Sequence, residues 1–213
     1  MSKHLVVVAG NIGAGKTSLT ERIGSRLGWR TGYENVIDNP YLADFYQDMA
    51  AWSFHLQVFL LGHRTQQYLE LVNTPESAIS DRSIYEDAHI FARALYQMGN
   101  LNERDYHAYR RIYELMMGRL PQPDLLLYLK CPVPVLAKRI RQRGRSIESG
   151  ITADYLQLLD SFYDDWLHGF DLCPVLVIPS EDLDFVNKPQ HLDIVVNRIR
   201  ERLSGKEDIV FPE

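Results

Sequence analysis

The chain has 213 residues, of which 46% are hydrophobic and 24% are charged. A chain of this size can bury a sizeable core as one domain, or as one domain with an inserted lid. Its formal net charge of −5, with basic residues clustered only in the short segment 138–145, argues against nucleic acid as a partner. No apolar run approaches the roughly 18 residues that a membrane span needs, so no membrane partner is expected.

The two cysteines, Cys131 and Cys173, each lie next to a proline. Neither belongs to a C-x-x-C motif or has a histidine at metal-ligand spacing, so buried free thiols are expected rather than a zinc site. The first predicted strand begins within four residues of Met1, which leaves no room for a signal peptide. We therefore expect a cytoplasmic protein that forms a single domain over residues 1–213.

The first predicted element is a strand, because residues 5–9 form an apolar run rich in β-branched side chains. A helix is predicted from Thr17 onward, where Leu19 and Ile23 lie four residues apart. The loop between them matches G-x-x-x-x-G-K-[ST], in which N–H groups surround phosphate oxygens, the lysine reaches the β- and γ-phosphates and the threonine binds Mg²⁺. An ordinary glycine turn is the alternative. The predicted nucleotide-binding residues are Gly10, Asn11, Ile12, Gly13, Ala14, Gly15, Lys16, Thr17 and Ser18.

Short apolar runs alternate with longer helical patterns along the rest of the chain. Further buried strands are predicted in the segments 28–35, 77–80, 123–130 and 173–180. Helices are predicted at residues 52–72, 86–97, 103–117, 133–143, 153–167 and 190–203. This alternation implies an α/β fold with a parallel sheet covered on both faces. Ligands of such sheets bind beyond the carboxyl ends of the strands, where Glu34, Asp81, Arg82 and the segment 180–185 fall.

The class of nucleotide-binding protein has to be decided by other motifs. GTPase switches add D-x-x-G and N-K-x-D, but no aspartate here precedes a glycine by three positions, and "NKPQ" at 187–190 lacks the aspartate that reads guanine. Motor ATPases usually carry four apolar residues that end in acidic residues, whereas "SAISDRS" ends in one aspartate followed by arginine. A small-molecule kinase is the better fit.

Such a kinase needs a carboxylate for the metal or the attacking hydroxyl, and cations for the moving charge. Glu34 ends the second predicted strand, although it could instead cap the next helix. Arg139 and Arg143 lie four apart on one helix face, with Arg145 just beyond. Because three neighbouring arginines repel one another without an anion between them, we expect a lid over phosphates at about residues 139–150, rather than a plain solvated face.

The long predicted helix supplies candidates for an acceptor pocket. Gln57 and Arg64 are seven residues apart, roughly 10 Å along one face, so both can point into one cavity. A planar base needs a bidentate amide, a charged partner and an aromatic platform, and Phe91, four residues after Asp87, is a candidate platform. The alternatives are a buried Gln57 bonded to backbone and a Phe91 that belongs to the core.

The sequence resembles the deoxynucleoside kinases over nearly its whole length. Five segments occur in the order and spacing of that family: "GNIGAGKTSL", "ENVIDNPYLADFY", "WSFHLQVFLLGHR", "DRSIYEDAHIF" and "RIRQRGRSIESGI". The resemblance is close to the bacterial members that act on deoxyadenosine and deoxycytidine. It implies a P-loop kinase fold with five parallel strands, usually a homodimer, and transfer of the ATP γ-phosphate to the 5′-hydroxyl of a deoxynucleoside, with deoxyadenosine favoured and deoxycytidine accepted.

The resemblance also implies roles for individual residues. Glu34 would be the general base, Arg82 the cation that orients it and stabilises the transition state, and Lys16 the phosphate-binding lysine of the reacting centre. The magnesium site would consist of Thr17 and Asp81. The remaining roles by position are the sugar 3′-hydroxyl for Tyr46 and Glu148, the base for Gln57, Arg64, Asp87 and Phe91, the lid for Arg139, Arg143 and Arg145, and the adenine of ATP for Asp184 and Phe185.

Two positions depart from the pattern of many family members, which carry an E-P dipeptide where Glu34-Asn35 stands and a glutamate in place of Asp81. The nearest alternative enzyme is a nucleoside-monophosphate kinase such as a thymidylate kinase. Its acceptor is already a phosphate, so its site needs extra cations rather than a carboxylate. A non-catalytic nucleotide-binding module is the alternative from another class, and Glu34 and Arg82 count against it.

Overall fold

The computed structural model describes residues 3–33, 39–145, 148, 150–186 and 188–204. In these ranges five parallel strands form one sheet with the order β2-β3-β1-β4-β5. The strands are β1 (Leu5–Gly10), β2 (Arg30–Gly32), β3 (Ala78–Asp81), β4 (Leu125–Lys130) and β5 (Val175–Pro179). The predicted α/β fold and its five-stranded parallel sheet are thereby confirmed.

Helices connect the strands and cover both faces of the sheet. They are α1 (Lys16–Leu27), α2 (Leu42–Gln47), α3 (Met49–Asn73), α4 (Ile84–Glu86), a π-helical segment (Asp87–Ala92), α5 (Arg93–Gln97), α6 (Glu103–Met117), α7 (Val133–Arg143), α8 (Ala153–His168) and α9 (Pro189–Leu203). No helix in the described ranges is both long and apolar enough to cross a membrane.

The sheet is buried on both faces because β1 and residues 125–129 of β4 are apolar and buried and their side chains alternate between the faces. Val7 and Leu126 pack on one face with residues of α3 and α8. Val6 and Leu127 pack on the other face with residues of α1, α7 and α9. Each fully buried side chain of this size contributes about 1.5–3 kcal/mol, so the central strands hold their carboxyl ends in fixed positions.

The last strand differs from its prediction as a buried strand. β5 lies at the edge of the sheet, pairs with β4 alone among the described strands, and leaves Val177 51% exposed. An apolar run reads the same in a central and in an edge strand, because the strand order depends on the crossovers and not on local pattern.

Both cysteines are free thiols, as predicted, but only Cys131 is buried. Cys173, just before β5, is half-buried.

Two helical regions also differ from their predictions. The segment 86–97, predicted as one helix, contains the turn of π-helix at Asp87–Ala92, because one extra residue in a turn leaves the apolar pattern almost unchanged. The short helix α2 was not predicted at all. A helix of six residues carries too few apolar repeats to show a period of 3.6.

The register of the sheet places the ends of its central strands side by side. Val8 of β1 pairs with Asp81 of β3, and Gly10 pairs with Leu129 of β4. Because all the strands run in the same direction, the loop after β1 lies next to Asp81 and Arg82 at the carboxyl edge, where ligands of such sheets bind.

Candidate active site

The loop between β1 and α1 turns sharply at its glycines. Gly15, with a φ of 101°, adopts a left-handed conformation as the N-cap of α1. At Gly10 a Cβ atom would lie 2.8 Å from the carbonyl oxygen of Leu129, so only glycine allows the loop to pass this close to β4. The first N–H groups of a helix have no partner within the helix, so this geometry directs a set of donors toward an anion.

Lys16 lies inside the curve of this loop. Its Nζ donates to the carbonyl oxygens of Gly10 at 2.6 Å and Asn11 at 3.1 Å. Asn11 in turn holds the loop in place, since its Nδ2 donates to the carbonyl oxygen of Leu156 in α8 and its Oδ1 accepts from the N–H of Ile12. The loop is therefore fixed to the rest of the fold through Asn11, while the ammonium group faces its carbonyl oxygens.

Thr17 and Asp81 meet at the carboxyl edge of the sheet. The Thr17 hydroxyl donates to Oδ2 of Asp81 at 2.5 Å, and the Asp81 side chain is buried at the end of β3. Among the described residues no group of three or more His, Cys, Asp or Glu side chains could hold a metal ion. The pair offers one hydroxyl and one carboxylate, the hard oxygen ligands that Mg²⁺ prefers.

Arg82 is held in an unusual backbone conformation. Its φ of 87° is the only positive value among the described non-glycine residues. Such a conformation costs roughly 1–3 kcal/mol and persists only where the surroundings enforce it. Here β3 precedes the residue, and Ser83 and Glu86 form a capping box that starts α4 directly after it. The guanidinium carbon lies 4.8 Å from the ring centroid of Phe91.

The three predicted lid arginines do not share one environment. Arg139 donates to the carbonyl oxygen of Ser180 at 2.7 Å and to that of Ala14 at 3.3 Å, so it links α7 to the loop after β5 and to the loop after β1. Arg143 instead forms a two-point ion pair with Glu148, at 2.6 and 3.1 Å, and Arg145 lies 3.6 Å from the same carboxylate. Arg143 and Arg145 thus share one anion, the Glu148 carboxylate, and the expected lid over phosphates stays a prediction.

The segment after β5 closes the same end of the cavity. Phe185 is buried, and its ring lies 3.4 Å from the position that a Cβ atom on Gly15 would occupy. The N–H of Asp184 donates to Nδ1 of His191 in α9 at 2.9 Å. This hydrogen bond fixes the backbone that presents Asp184 and Phe185 to the cavity.

The other end of the cavity contains a buried ion pair. Arg64 of α3 and Asp87 of the π-helical segment contact each other, with side-chain exposures of 7% and 1%. Gln57, which precedes Arg64 by seven residues in α3, is also buried. Its Oε1 has no hydrogen-bond partner among the described residues. Buried polar atoms are normally paired, so this region is suited to a polar ligand that supplies donors and acceptors.

The π-helical segment presents both Asp87 and Phe91 to this cavity. Turns of π-helix are rare, cost stability and are frequent at functional sites. The Phe91 ring on this wall lies against the Arg82 guanidinium. Phe91 therefore lines the cavity, and its role as the platform for a base stays a prediction.

One cavity of about 830 Å³ joins the two ends. This volume is within the range of sites that bind small molecules. The predicted residues that line it are Ile12, Gly13, Gly15, Lys16, Thr17, Ser18, Tyr46, Gln57, Arg64, Asp81, Arg82, Asp87, Phe91, Arg139, Arg143, Arg145, Glu148, Asp184 and Phe185. Three loop residues, Gly10, Asn11 and Ala14, shape the loop without lining the cavity, and Glu34 lies outside the described residues.

Sequence reasoning missed two kinds of residue. Apolar side chains such as Phe45, Leu95 and Met98 line the acceptor end, but their helical spacing is typical of any core. Tyr155 of α8 also lines the cavity, and burial raises the pKa of its hydroxyl, so the group remains a protonated donor. Glu86 could have been found, because Ser83-x-x-Glu86 has the spacing of a capping box.

Comparison with known proteins places the chain in a family. The family model described as deoxynucleoside kinase matches residues 6–204. A deoxyadenosine/deoxycytidine kinase of Bacillus subtilis is 37% identical over 197 residues, which cover 92% of this chain and 91% of that protein. A deoxyguanosine kinase of Lactobacillus acidophilus is 34% identical over 208 residues, which cover 93% of this chain and 90% of that protein.

A solved structure supports the same assignment. The deoxyadenosine kinase from M. mycoides with bound dATP has a TM-score of 0.80 and 28% identity to this chain, and the match covers 92% of this chain and 99% of that one. The sequence match and the fold therefore agree over nearly the whole length. The chain belongs to the deoxynucleoside kinase family, and it is a kinase that phosphorylates a deoxynucleoside.

Proposed function

We propose that the protein transfers the γ-phosphate of ATP to the 5′-hydroxyl of a deoxynucleoside, with both substrates bound in the cavity described above. The observation that carries this proposal is the continuity of the cavity. Lys16 and the lid arginines line one end, and Gln57 and Asp87 line the other. Phosphoryl transfer depends mainly on positioning and charge stabilisation, which a shared cavity supplies.

The donor end fits a nucleoside triphosphate. The N-terminus of α1 would bind the phosphates, and Lys16 would exchange the two loop carbonyl oxygens for the β- and γ-phosphates. Arg143 and Arg145 would exchange Glu148 for phosphate oxygens as the lid, about residues 139–150, closes. Asp184 and Phe185 would contact the adenine.

The reacting centre would lie between Arg82 and the end of α1. In the proposed step Glu34 takes the proton of the 5′-hydroxyl, that oxygen forms a bond to the γ-phosphorus, and the bond from the γ-phosphorus to the β-phosphate oxygen breaks to release ADP. Arg82, held rigidly by its neighbours, would orient the carboxylate and stabilise the charge on the moving group.

The hydroxyl of Thr17 and the carboxylate of Asp81 fit a magnesium site, because both are hard oxygen ligands and lie in contact beside the phosphate-binding loop. Magnesium would supply charge neutralisation at the β- and γ-phosphates when bound. With two protein ligands, the ion would take its other ligands from phosphates and water. The shorter aspartate, where many family members carry glutamate, still reaches Thr17 directly.

The acceptor end fits a base that has an exocyclic amine next to a ring nitrogen. Adenine and cytosine offer Asp87 a donor and Arg64 an acceptor, so the buried ion pair keeps its hydrogen bonds satisfied. Thymine has no amine and would leave the carboxylate unpaired, at a cost of about 1–3 kcal/mol or more. We therefore propose deoxyadenosine as the best substrate, deoxycytidine as an accepted one, deoxyguanosine as a poorer one and thymidine as the worst. Tyr46 and Glu148 would hold the sugar 3′-hydroxyl.

The expected homodimer has a candidate surface. Helices α3 and α6 pack together, since the Thr65 hydroxyl lies 3.5 Å from the sulfur of Met116. Both helices expose large apolar side chains, with Leu69 40%, Ile112 38% and Leu115 60% exposed. Burying such side chains against a second copy would be favourable. The two free thiols and the net charge of −5 support the proposed cytoplasmic location and the absence of a nucleic-acid partner.

Steady-state kinetics with the four deoxynucleosides and with their monophosphates, each with ATP and Mg²⁺, would test these proposals. We expect phosphorylation of the nucleosides in the order deoxyadenosine, deoxycytidine, deoxyguanosine and thymidine, measured as kcat/KM. Thymidine as the best substrate would contradict the proposed reading of the base. Consumption of monophosphates in place of nucleosides would contradict the proposed acceptor.

A further inference from the structure

Glu86 is a fully buried carboxylate that lies beside the cavity and does not line it. Its Oε1 accepts a hydrogen bond from the N–H of Gly10 at 3.0 Å, and its Oε2 accepts one from the N–H of Ser83 at 2.8 Å. The Tyr163 hydroxyl also contacts Oε1. Three donors from three separate elements therefore converge on one carboxylate.

Each of the three donors is tied to a residue of the proposed reacting centre. Gly10 starts the phosphate-binding loop, and its carbonyl oxygen lies 2.6 Å from Nζ of Lys16 and 2.9 Å from the Tyr163 hydroxyl. The N–H of Ser83 belongs to the residue directly after Arg82, so its hydrogen bond fixes the backbone that leaves Arg82 at its positive φ. Glu86 thus connects the start of the loop with the turn that carries Arg82.

Tyr163 completes the connection from α8. Its side chain is fully buried, and its ring packs against Tyr128 and Trp166. Burial and the neighbouring Glu86 carboxylate raise the pKa of the Tyr163 hydroxyl, whereas Arg82 acts in the opposite direction. The hydroxyl is therefore held in its protonated form and available as a donor.

We propose that Glu86 and Tyr163 are positioning residues for phosphoryl transfer, which set the phosphate-binding loop and Arg82 at the separation at which Lys16 and Arg82 reach the same phosphoryl group. This inference rests on the proposed roles of Lys16 and Arg82. Neither Glu86 nor Tyr163 lines the cavity, so their effect on turnover passes through the groups that they hold. Small displacements of catalytic groups cost large factors in rate, which makes such a connection measurable.

The Glu86→Gln variant changes this connection with little change in shape. An amide has one oxygen where the carboxylate has two, so its nitrogen must face the N–H of either Gly10 or Ser83. One backbone donor then loses its partner, and either the loop or the Arg82 turn moves. The Tyr163→Phe variant is milder, because the ring remains in the core and only the hydroxyl is lost.

The Tyr68→Phe variant is a matched control. Tyr68 is also a buried tyrosine, and its hydroxyl donates to the carbonyl oxygen of Pro121 at 2.7 Å, away from the cavity. Losing this hydroxyl removes its buried hydrogen bonds to Pro121 and to the Tyr85 side chain, but none of the three donors that meet Glu86. It therefore reports what the loss of a tyrosine hydroxyl does through stability alone.

The test measures kcat, the KM for ATP, the KM for deoxyadenosine and the melting temperature for these variants, well below their melting temperatures. We expect kcat to fall about 10- to 100-fold in Glu86→Gln and about 3- to 10-fold in Tyr163→Phe, with both KM values within about 3-fold of the unmodified protein. The double variant should be little worse than Glu86→Gln alone, because the two side chains act as one unit. Tyr68→Phe should keep kcat within about 2-fold.

A folded Tyr163→Phe and a folded Glu86→Gln that both keep kcat within about 2-fold would overturn the proposal and leave a structural role only. If Glu86→Gln does not fold, Tyr163→Phe and its control decide the question alone. A fall of kcat in Tyr68→Phe equal to that in Tyr163→Phe would also overturn it. Full activity of Lys16→Ala, by contrast, would overturn the proposed role of the loop, whatever the Glu86 variants do.

Discussion

The two ends of the cavity are built in different ways. At the donor end, the loop at residues 10–18 offers mostly backbone N–H and carbonyl groups, and its glycines adopt conformations that other residues cannot. At the acceptor end, side chains from α2, α3 and the π-helical segment form the walls. Gln57 and Arg64 come from α3 and Asp87 from the π-helical segment, and none of the three carries a fixed backbone requirement.

Under the proposed function, this difference separates the chemistry from the specificity for the base. Backbone groups are the same in every protein, so a donor end made of them can bind the phosphates shared by all nucleoside triphosphates. Side chains can be exchanged without disturbing the loop, so the acceptor end can be adapted to different bases. The chain is similar to a deoxyadenosine/deoxycytidine kinase and to a deoxyguanosine kinase at nearly equal identity, as such a division would allow.

The largest effect is expected at the donor end. Lys16→Ala should lower turnover at least about 10³-fold, because the ammonium would no longer reach the β- and γ-phosphates. The fold should survive, since this side chain contacts loop carbonyl oxygens rather than the apolar core. Kinetics together with a melting curve check both points. A folded variant with full activity would contradict the proposed role of this end in binding the ATP phosphates.

Glu34→Gln should have the next largest effect. The amide keeps the size and hydrogen bonding of the carboxylate but cannot accept the proton, so we expect kcat to fall about 10²- to 10⁴-fold with deoxynucleoside binding largely retained. Rate and binding measurements on the same preparation separate the two. A loss of binding with unchanged kcat would make Glu34 a ligand of the acceptor end only.

Replacing Arg64 and Asp87 together by leucine should alter base choice more than chemistry. Without the ion pair the pocket no longer penalises thymine, so thymidine activity relative to deoxyadenosine should rise about 10-fold or more, measured as a ratio of kcat/KM values. The Arg93–Asp165 ion pair, at 3.0 Å and exposed, provides the control, whose loss should leave the ratio unchanged. An unchanged substrate order in the Arg64/Asp87 variant would mean that the pair does not read the base.

The smallest expected effect is on the pH dependence of the free energy of unfolding, through a histidine in the π-helical segment. Burial lowers the pKa of His89 in the π-helical segment to about 4, with Arg110 and Arg93 acting in the same direction and Glu114 in the opposite one. The unfolded chain binds this proton near pH 6.5, so between pH 6.5 and about 4 the unfolded state holds more protons and stability falls as pH falls.

Urea unfolding of the unmodified protein and of His89→Gln over this pH range checks the expectation. As the pH falls, the free energy of unfolding of the unmodified protein should decrease by at most about 1.4 kcal/mol per pH unit more than that of the variant. The difference is smaller where water reaches the ring. Replacing His107, whose side chain is 69% exposed, by glutamine serves as the control. If the free energy of unfolding depends on pH in the same way for the unmodified protein and for His89→Gln, a contribution of His89 is ruled out.

The shape of the loop at the donor end could be predicted from the sequence, for a physical reason. A loop that binds phosphate through its backbone needs glycine, lysine and threonine at fixed spacing, so the pattern is readable without a structure. The strands were also predictable, since β1 and residues 125–129 of β4 form apolar runs. The edge position of β5 was not, because it follows from the order of the crossovers rather than from the residues of the strand.

The acceptor end could be predicted only in part. The spacing of Gln57 and Arg64 indicates one helix face, but their partner Asp87 lies 23 residues further along the chain, and no local pattern joins them. The turn of π-helix at 87–92 was unpredicted because its apolar residues also fit an α-helix. Glu86 had a readable capping motif, yet its contact with Gly10 depends on the neighbouring positions of β1 and β3.

The separation of the two ends is tested most directly by calorimetric binding of ATP and of deoxyadenosine to Lys16→Ala and to the Arg64/Asp87 double leucine variant. We expect Lys16→Ala to bind deoxyadenosine with an affinity within about 3-fold of the unmodified protein, while its ATP binding weakens. The double variant should bind ATP with an affinity within about 3-fold of the unmodified protein, while its deoxyadenosine binding weakens. Loss of deoxyadenosine binding in a folded Lys16→Ala, or equal loss of ATP binding in the double variant, would contradict a division between donor and acceptor ends.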